Sequence, residues 1–254
     1  MKISEIIDLL EQYAPIDLAD EGDRPKVGLQ IGSRHRECTG VVTCLDATLD
    51  VFKIAVENGC NLVVSHHPMI YYPLQKVDED IVSGEAIAYA FRNGITVYSA
   101  HTNFDKCEIG TNASLVKMFD GKIIDTFECC FLAEVEPIKA GDLAKKVAKV
   151  LGDKSVKIAG NPDKMVTKFA VCSGGGGGAF SYLNYAMKNA DIYISGDMPH
   201  HIYRDVVTRD FVAIEFSHYA SEIMAEDVFK SILENKVKVI KANQPCPFRT
   251  LEEI

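Results

Sequence analysis

The feature that most limits how this chain can fold is the order strand, helix, strand across residues 41–64. Val41–Leu45 is an apolar run of strand length. Asp46 and Thr48 follow in a turn, and the helical stretch after them stops at Asn58–Gly59, a C-terminal glycine stop. Leu62–Val64 is the next strand. Strands joined through a helix pair in parallel with a right-handed crossover, so both end on the same edge of the sheet. The pattern repeats: Ser83 opens a helix, Gly94 closes it, and Ile95–Ala100 forms a further strand. The chain therefore belongs to the α/β class.

Those strand ends carry metal-ligating side chains. Asn61–Pro68 reads NLVVSHHP, an apolar strand ending on His66 and His67. Neighbouring side chains of an extended strand point to opposite faces, so the two imidazoles could not share one ion there. At a strand end the chain turns, and each can serve a separate ion. Pro68 marks that end, because it fixes its own φ, disfavours helix at His67 and cannot donate to a ladder. Asp46, at the end of the preceding strand, is expected beside the histidines; it reads first as a helix cap and second as a ligand. Ile95–Ala100 ends on His101 and continues HTNFD, so His101 and Asp105 share a face if that turn is helical. The other reading of Asp105 is a cap for the helix through Ala113–Phe119.

Ahead of these elements, Ser4 is expected to cap a helix carrying Ile3, Ile6, Ile7 and Leu10, and Val27–Gly32 (VGLQIG) suits a strand. A composition shift around Gly121–Cys130 places a division near Asp125, giving lobes 1–125 and 126–254. The second half is expected to alternate again: strand Phe131–Val135, helix Asp142–Leu151, strands Val156–Ile158 and Val166–Cys172. Gly174–Gly178 then lead to a helix near Phe180. This glycine run can offer N–H groups to an anion or serve as a flexible turn, and it lacks the Lys-Ser/Thr pair of a P-loop. AVENGCNLVVSHHP and AMKNADIYISGDMP both run helix, turn, apolar strand, proline, with Gly196 and Asp197 in place of His66 and His67. His200 and His201 lie further out and read as supporting or surface residues. Phe211–Phe216 ends in SHYASE, so His218 and Glu222 repeat the strand-then-His-x3-acid form of HTNFD.

The chain has 254 residues, 47% of them hydrophobic, enough for one large or two modest cores. It has no apolar run of membrane-spanning length, and its N-terminus, MKISEIIDLLEQYAP, does not resemble a signal peptide; a soluble cytoplasmic protein is expected. The eight cysteines fall mostly in apolar segments without a CxxC pair and read as reduced core residues. A net charge of −9 without a basic stripe argues against a sequence-independent grip on nucleic acid.

His66, His67, Asp105, His218 and Glu222 offer three imidazoles and two carboxylates, a mixed N/O set suited to Zn, Fe or Mn rather than to a calcium cage. Five ligands undersupply two ions, so a carboxylate such as Glu222 would bridge and the open positions would hold water, as in a catalytic site. Two dications exceed two carboxylates in charge and would draw a small anionic substrate. A bound water acidified towards ~7 is a nucleophile at neutral pH, so hydrolysis is the expected chemistry.

VGLQIG, NLVVSHHP, HTNFD, the glycine run after VCS, and SHYASE, in this order over nearly the whole chain, resemble the Nif-three-like dinuclear-metal proteins, some of which are described as type 2 GTP cyclohydrolase I. The resemblance implies two intertwined, related α/β lobes with the metal site between them, and a ring-shaped homohexamer. It implies that His66 and Asp105 hold one ion and His67 and His218 the other, with Glu222 bridging. The chain resembles the short form, without an extra domain between the halves. It departs from the family at EGDRPK, where an aromatic-Asp-Asn lead into VGLQIG is usual, and at Ser217, where glycine is usual. Three functions follow. The first is hydrolytic opening of the imidazole ring of GTP with loss of formate; here Glu222 serves the ions and His101 is a proton shuttle or an orienting residue. The second is phosphoester hydrolysis, and the third a metal-holding interaction or regulatory role.

Overall fold

The computed structural model describes residues 1–251. Its strands, numbered along the chain, are β1 Gly28–Ile31, β2 Val41–Asp46, β3 Leu62–His67, β4 Thr96–Ser99, β5 Lys122–Phe127, β6 Cys130–Lys139, β7 Lys157–Ala159, β8 Met165–Cys172, β9 Ile192–Gly196, β10 Val212–Phe216 and β11 Val239–Lys241. They form two sheets, one in each of two compact units. The first unit comprises Met1–Gly110 and Ile223–Pro245; the second comprises Thr111–Glu222 and the segment from Cys246.

In the first unit the sheet order is β1-β4-β3-β2-β11. β11, β2, β3 and β4 are parallel, and β1 closes the β4 edge antiparallel. Side-chain alternation divides the core. Val41, Leu62, Val64 and Tyr98 pack with Ile3, Ile6, Ile7 and Leu10 of the helix Ile3–Glu11 and with Ala225, Phe229 and Leu233 of the helix Ala225–Leu233. Val42, Cys44, Val63 and Val97 face Val51, Phe52 and Ala55 of the helix Leu49–Glu57 and Ala86, Ile87 and Ala90 of the helix Val82–Arg92. A sheet covered on both faces requires apolar residues at successive positions, which is why these strands read as unbroken hydrophobic runs. Two expected caps differ. Ser4 lies inside its helix, whose start is closed instead by Glu5 Oε2 accepting from the Lys2 N–H at 2.6 Å. Thr48, not Asp46, caps the helix Leu49–Glu57 by accepting from Val51 N.

The second unit has the order β5-β6-β8-β9-β10-β7, with β8, β9 and β10 parallel and the others antiparallel. One face is covered by Leu183 and Ala186 of the helix Phe180–Asn189 and by Ile202 and Val206 of the helix His200–Thr208, packed with Leu132, Ala170, Tyr193 and Ala213. β3 and β9, the strands of the repeated sequence pattern, each lie between two parallel neighbours. Asp125 lies within β5, paired with Leu132 of β6, so a division there would cut a hairpin. The units divide instead between Gly110 and Thr111, and the chain rejoins the first unit at Ile223. The glycine run is a 3-10 turn, Gly174–Gly178, in which Gly174, Gly176 and Gly177 are buried. Among the described residues no helix is long and apolar enough to cross a membrane. Cys44, Cys60, Cys107, Cys129, Cys130 and Cys172 are buried, and burial pushes the Cys130 thiol up to about 12.

Candidate metal centre

Register in the first sheet makes the cluster. Asp46 and His67 are Cα partners at the ends of β2 and β3, and His101 follows the end of β4. His67 Nδ1 donates to Asp46 Oδ1 at 2.8 Å, so Asp46 neither caps a helix nor stands in a ligand position; it holds an imidazole. Asp46 is itself held from behind. Gln244 Oε1 accepts from Leu45 N and Asp46 N at 3.0 and 2.9 Å, and buried Glu226 accepts from Asn243 N and Gln244 N.

His66 is fully buried, and its Nδ1 lies 2.8 Å from the Ala100 carbonyl. A carbonyl only accepts, so Nδ1 carries the proton and Nε2 presents a lone pair. That nitrogen faces Asp105 Oδ1 at 3.5 Å. Asp105 closes the short helix Thr102–Asp105, which rests on the core through Phe104 against Phe229, their rings 4.5 Å apart. His66 and His67 converge although they are consecutive strand residues. As the last two positions of β3 they place their rings 5.2 Å apart, and His101 lies 5.3 Å from one and 5.7 Å from the other. One ring nitrogen from each of the three lies within 4.8 Å of the others, a group that could hold a metal ion.

His101 is held by a residue that the sequence did not single out. Its Nδ1 donates to Asp23 Oδ2 at 2.7 Å, and the same oxygen accepts from Thr102 Oγ1 at 2.7 Å. Burial pushes the Asp23 carboxyl up, but the hydrogen bond and charge of His101 and the hydrogen bonds from Thr102 outweigh it, leaving the group at about 2.

In the second unit His218 opens the short helix His218–Glu222 after β10. Its Nδ1 donates to Asp197 Oδ2 at 2.7 Å, and its Nε2 faces Glu222 Oε2 at 2.9 Å. Asp197 follows β9 in the left-handed region, with φ +53°. It supports an imidazole as Asp46 does in the first unit. Asp153 Oδ2 accepts from Ser217 N at 2.6 Å and fixes the entry to this helix. Gly174 accounts for the start of the glycine run: a methyl there would overlap Glu222 Oε1 and lie 3.0 Å from His218 Nε2. The Gly174 N–H donates to Ser221 Oγ, which in turn donates to the His218 carbonyl. His200 and His201 are exposed on the helix His200–Thr208, where His201 stacks on Phe180 at 5.2 Å.

The residues fit divalent cations. Four imidazoles each tie Nδ1 to a carbonyl or carboxylate and present Nε2, the arrangement that orients histidine ligands and raises their basicity. In each unit a histidine Nε2 faces a carboxylate oxygen, at His66–Asp105 and at His218–Glu222. Two acceptors brought together are stabilised by a shared cation, and mixed imidazole and carboxylate donors suit transition ions.

An α/β protein whose strand ends present oriented imidazoles and carboxylates is a candidate metal protein by construction. Its sequence matches the model of the Duf34/NIF3 (NGG1p interacting factor 3) family over residues 1–247, and the chain belongs to that family. It is 30% identical over 240 residues to a protein of Methanocaldococcus jannaschii named GTP cyclohydrolase 1 type 2 homolog, covering 93% of this chain and 96% of the relative. A Clostridium acetobutylicum protein of the same name is 28% identical over 256 residues, covering 96% and 94%. Among solved structures, a hypothetical protein of Staphylococcus aureus superposes with a TM-score of 0.87 at 25% identity, covering 99% of both chains.

Proposed function

We propose that this chain is a hydrolase dependent on two divalent cations and that it opens the imidazole ring of GTP, releasing formate from C8 before closure to dihydroneopterin triphosphate. The observation that carries the metal part is the set of three imidazoles, His66, His67 and His218, with Nδ1 tied and Nε2 presented, two of them facing carboxylates. In this proposal His66 and Asp105 hold one ion, His67 and His218 the other, and Glu222 bridges, as the family resemblance implies. Bound there, the ions would supply Lewis-acid activation of water at neutral pH and a positive field for an anionic substrate. The choice of GTP is supported by the names of the relatives. The homohexamer belongs to the same proposal.

The chain's own residues do the rest. Asp46, the Ala100 carbonyl and Asp197 fix the imidazole planes, so that the ligand atoms are set before substrate arrives. His101, whose ring lies 5.3 Å from that of His66 and 5.7 Å from that of His67, would carry the proton lost by the attacking water to the ring nitrogen that leaves C8 as formate forms. The test is to incubate metal-reconstituted protein with GTP and assay formate, phosphate and pterin fluorescence together, with Glu222→Gln as the control for contaminating activity. Formate and pterin from the wild type alone support the proposal. Phosphate alone points to phosphoester hydrolysis, and no product from protein carrying two ions removes GTP as the substrate.

A further inference from the structure

We infer that Asp23 is the positioning residue of His101, setting which ring nitrogen faces the neighbouring histidines and in what direction. What His101 then acts on rests on the dinuclear reading above; the placement of its ring does not.

Asp23 is 5% exposed and lies 78 residues from its partner in sequence. Its backbone is fixed by local turns. Asp23 N donates to Asp20 O at 2.9 Å, and Lys26 N donates to Asp23 O at 2.7 Å across the 3-10 turn Arg24–Lys26. The side chain is fixed as firmly: Oδ2 accepts from His101 Nδ1 and Thr102 Oγ1, both at 2.7 Å, and from Thr102 N at 3.4 Å. Oδ1 lies 3.7 Å from Lys26 Nζ, which sits 3.7 Å above the Tyr71 ring. Tyr71 in turn meets His101 edge-on at 6.3 Å. The imidazole is thus held at one nitrogen by a carboxylate and along one edge by an aromatic ring, with its ring 5.3 Å from that of His66 and 5.7 Å from that of His67. His66 and His67 are oriented through their own Nδ1 atoms in the same way, by Ala100 O and Asp46. All three imidazoles of this cluster therefore carry a dedicated acceptor. For His101 it comes from the stretch EGDRPK, ahead of β1.

A purely structural role is the competing account, because accepting from Thr102 also closes the start of the helix Thr102–Asp105. Variants separate the two. Asp23→Asn keeps an oxygen for His101 Nδ1–H, whereas Asp23→Ala removes it. Long-range proton–nitrogen NMR of the histidine-labelled full chain, before and after zinc loading, reads the His101 tautomer directly. The Nδ1–H form is expected in the wild type and Asp23→Asn and is expected to be lost or mixed in Asp23→Ala. In the GTP assay Asp23→Ala should lower kcat by about 10- to 100-fold with KM and ion content unchanged. In a His101→Ala background it should change nothing further. An unchanged tautomer in Asp23→Ala, or additive losses in the double variant, would overturn the inference. If the wild type releases no formate, the GTP reading fails by itself, and the tautomer still decides the role of Asp23.

Discussion

Replacing Gly174 by alanine puts a methyl group where Glu222 Oε1 sits, 3.0 Å from His218 Nε2. The backbone there has φ +57°, a left-handed conformation that costs an L-residue about 1–2 kcal/mol. Relieving the overlap by displacing Glu222 or the turn adds about 1–3 kcal/mol, the usual range for overpacking. Together these give a loss of about 2–5 kcal/mol, a fall in melting temperature of at least about 4 °C for a chain of this size. Displacing Glu222 should also reduce bound metal. Gly178→Ala is the control, since a methyl there meets nothing closer than 4.0 Å, and its stability should change by less than about 0.5 kcal/mol. Gly175→Ala should behave likewise, with Asp197 Oδ2 at an ordinary 3.5 Å. The assay is thermal unfolding of the three variants with metal content measured in parallel. If Gly174→Ala melts with the controls and keeps its metal, Gly174 does not make room for Glu222, and the account of the glycine run is refuted.

Asp46→Ala should weaken binding of one ion by about 10- to 100-fold, because His67 loses its orienting acceptor; competition with a chelator measures this. Phe104→Ala should cost about 3–5 kcal/mol in urea unfolding, since it empties a fully buried site against Phe229 beneath Asp105. Asp153→Asn should destabilise at neutral pH. Burial raises the Asp153 carboxyl, but hydrogen bonds from Ser155 and Ser217 outweigh it and hold the group below its ordinary value of 3.8. The carboxylate's contribution is therefore present above about 3.8 and lost as pH falls through the lowered native value, so the urea midpoints of metal-free wild type and variant should converge in acid.

The first sheet was legible because its strands are buried on both faces, so Val41–Leu45, Leu62–Val64 and Ile95–Ala100 stand out as apolar runs. His66, His67, His101 and Asp105 were legible for the same reason: parallel strands bring their ends to one edge. β5 was not, because all six of its residues are exposed and no apolar pattern marks it, and a division was expected inside it. β11 is three residues long and pairs with β2 from the far end of the chain. The orienting groups were mostly invisible. Asp23, Gln244 and the Ala100 carbonyl act across long separations or through backbone, and nothing local distinguishes them. The glycine run resembled an open loop because sequence does not show what lies opposite. Cys172 and Ser195 crowd Gly176, and the Gly196 carbonyl and Met198 crowd Gly177.

The proposed binding of a pair of ions by His66, His67, Asp105, His218 and Glu222 is tested by metal stoichiometry. The wild type, Glu222→Gln and His66→Ala would each be reconstituted with zinc or manganese, freed of excess and measured for ions per chain by elemental analysis. Two ions are expected in the wild type, with reduced occupancy of both in Glu222→Gln because a bridging charge is lost, and loss of chiefly one in His66→Ala. A wild type that retains at most one ion, or undiminished content in both variants, would contradict it.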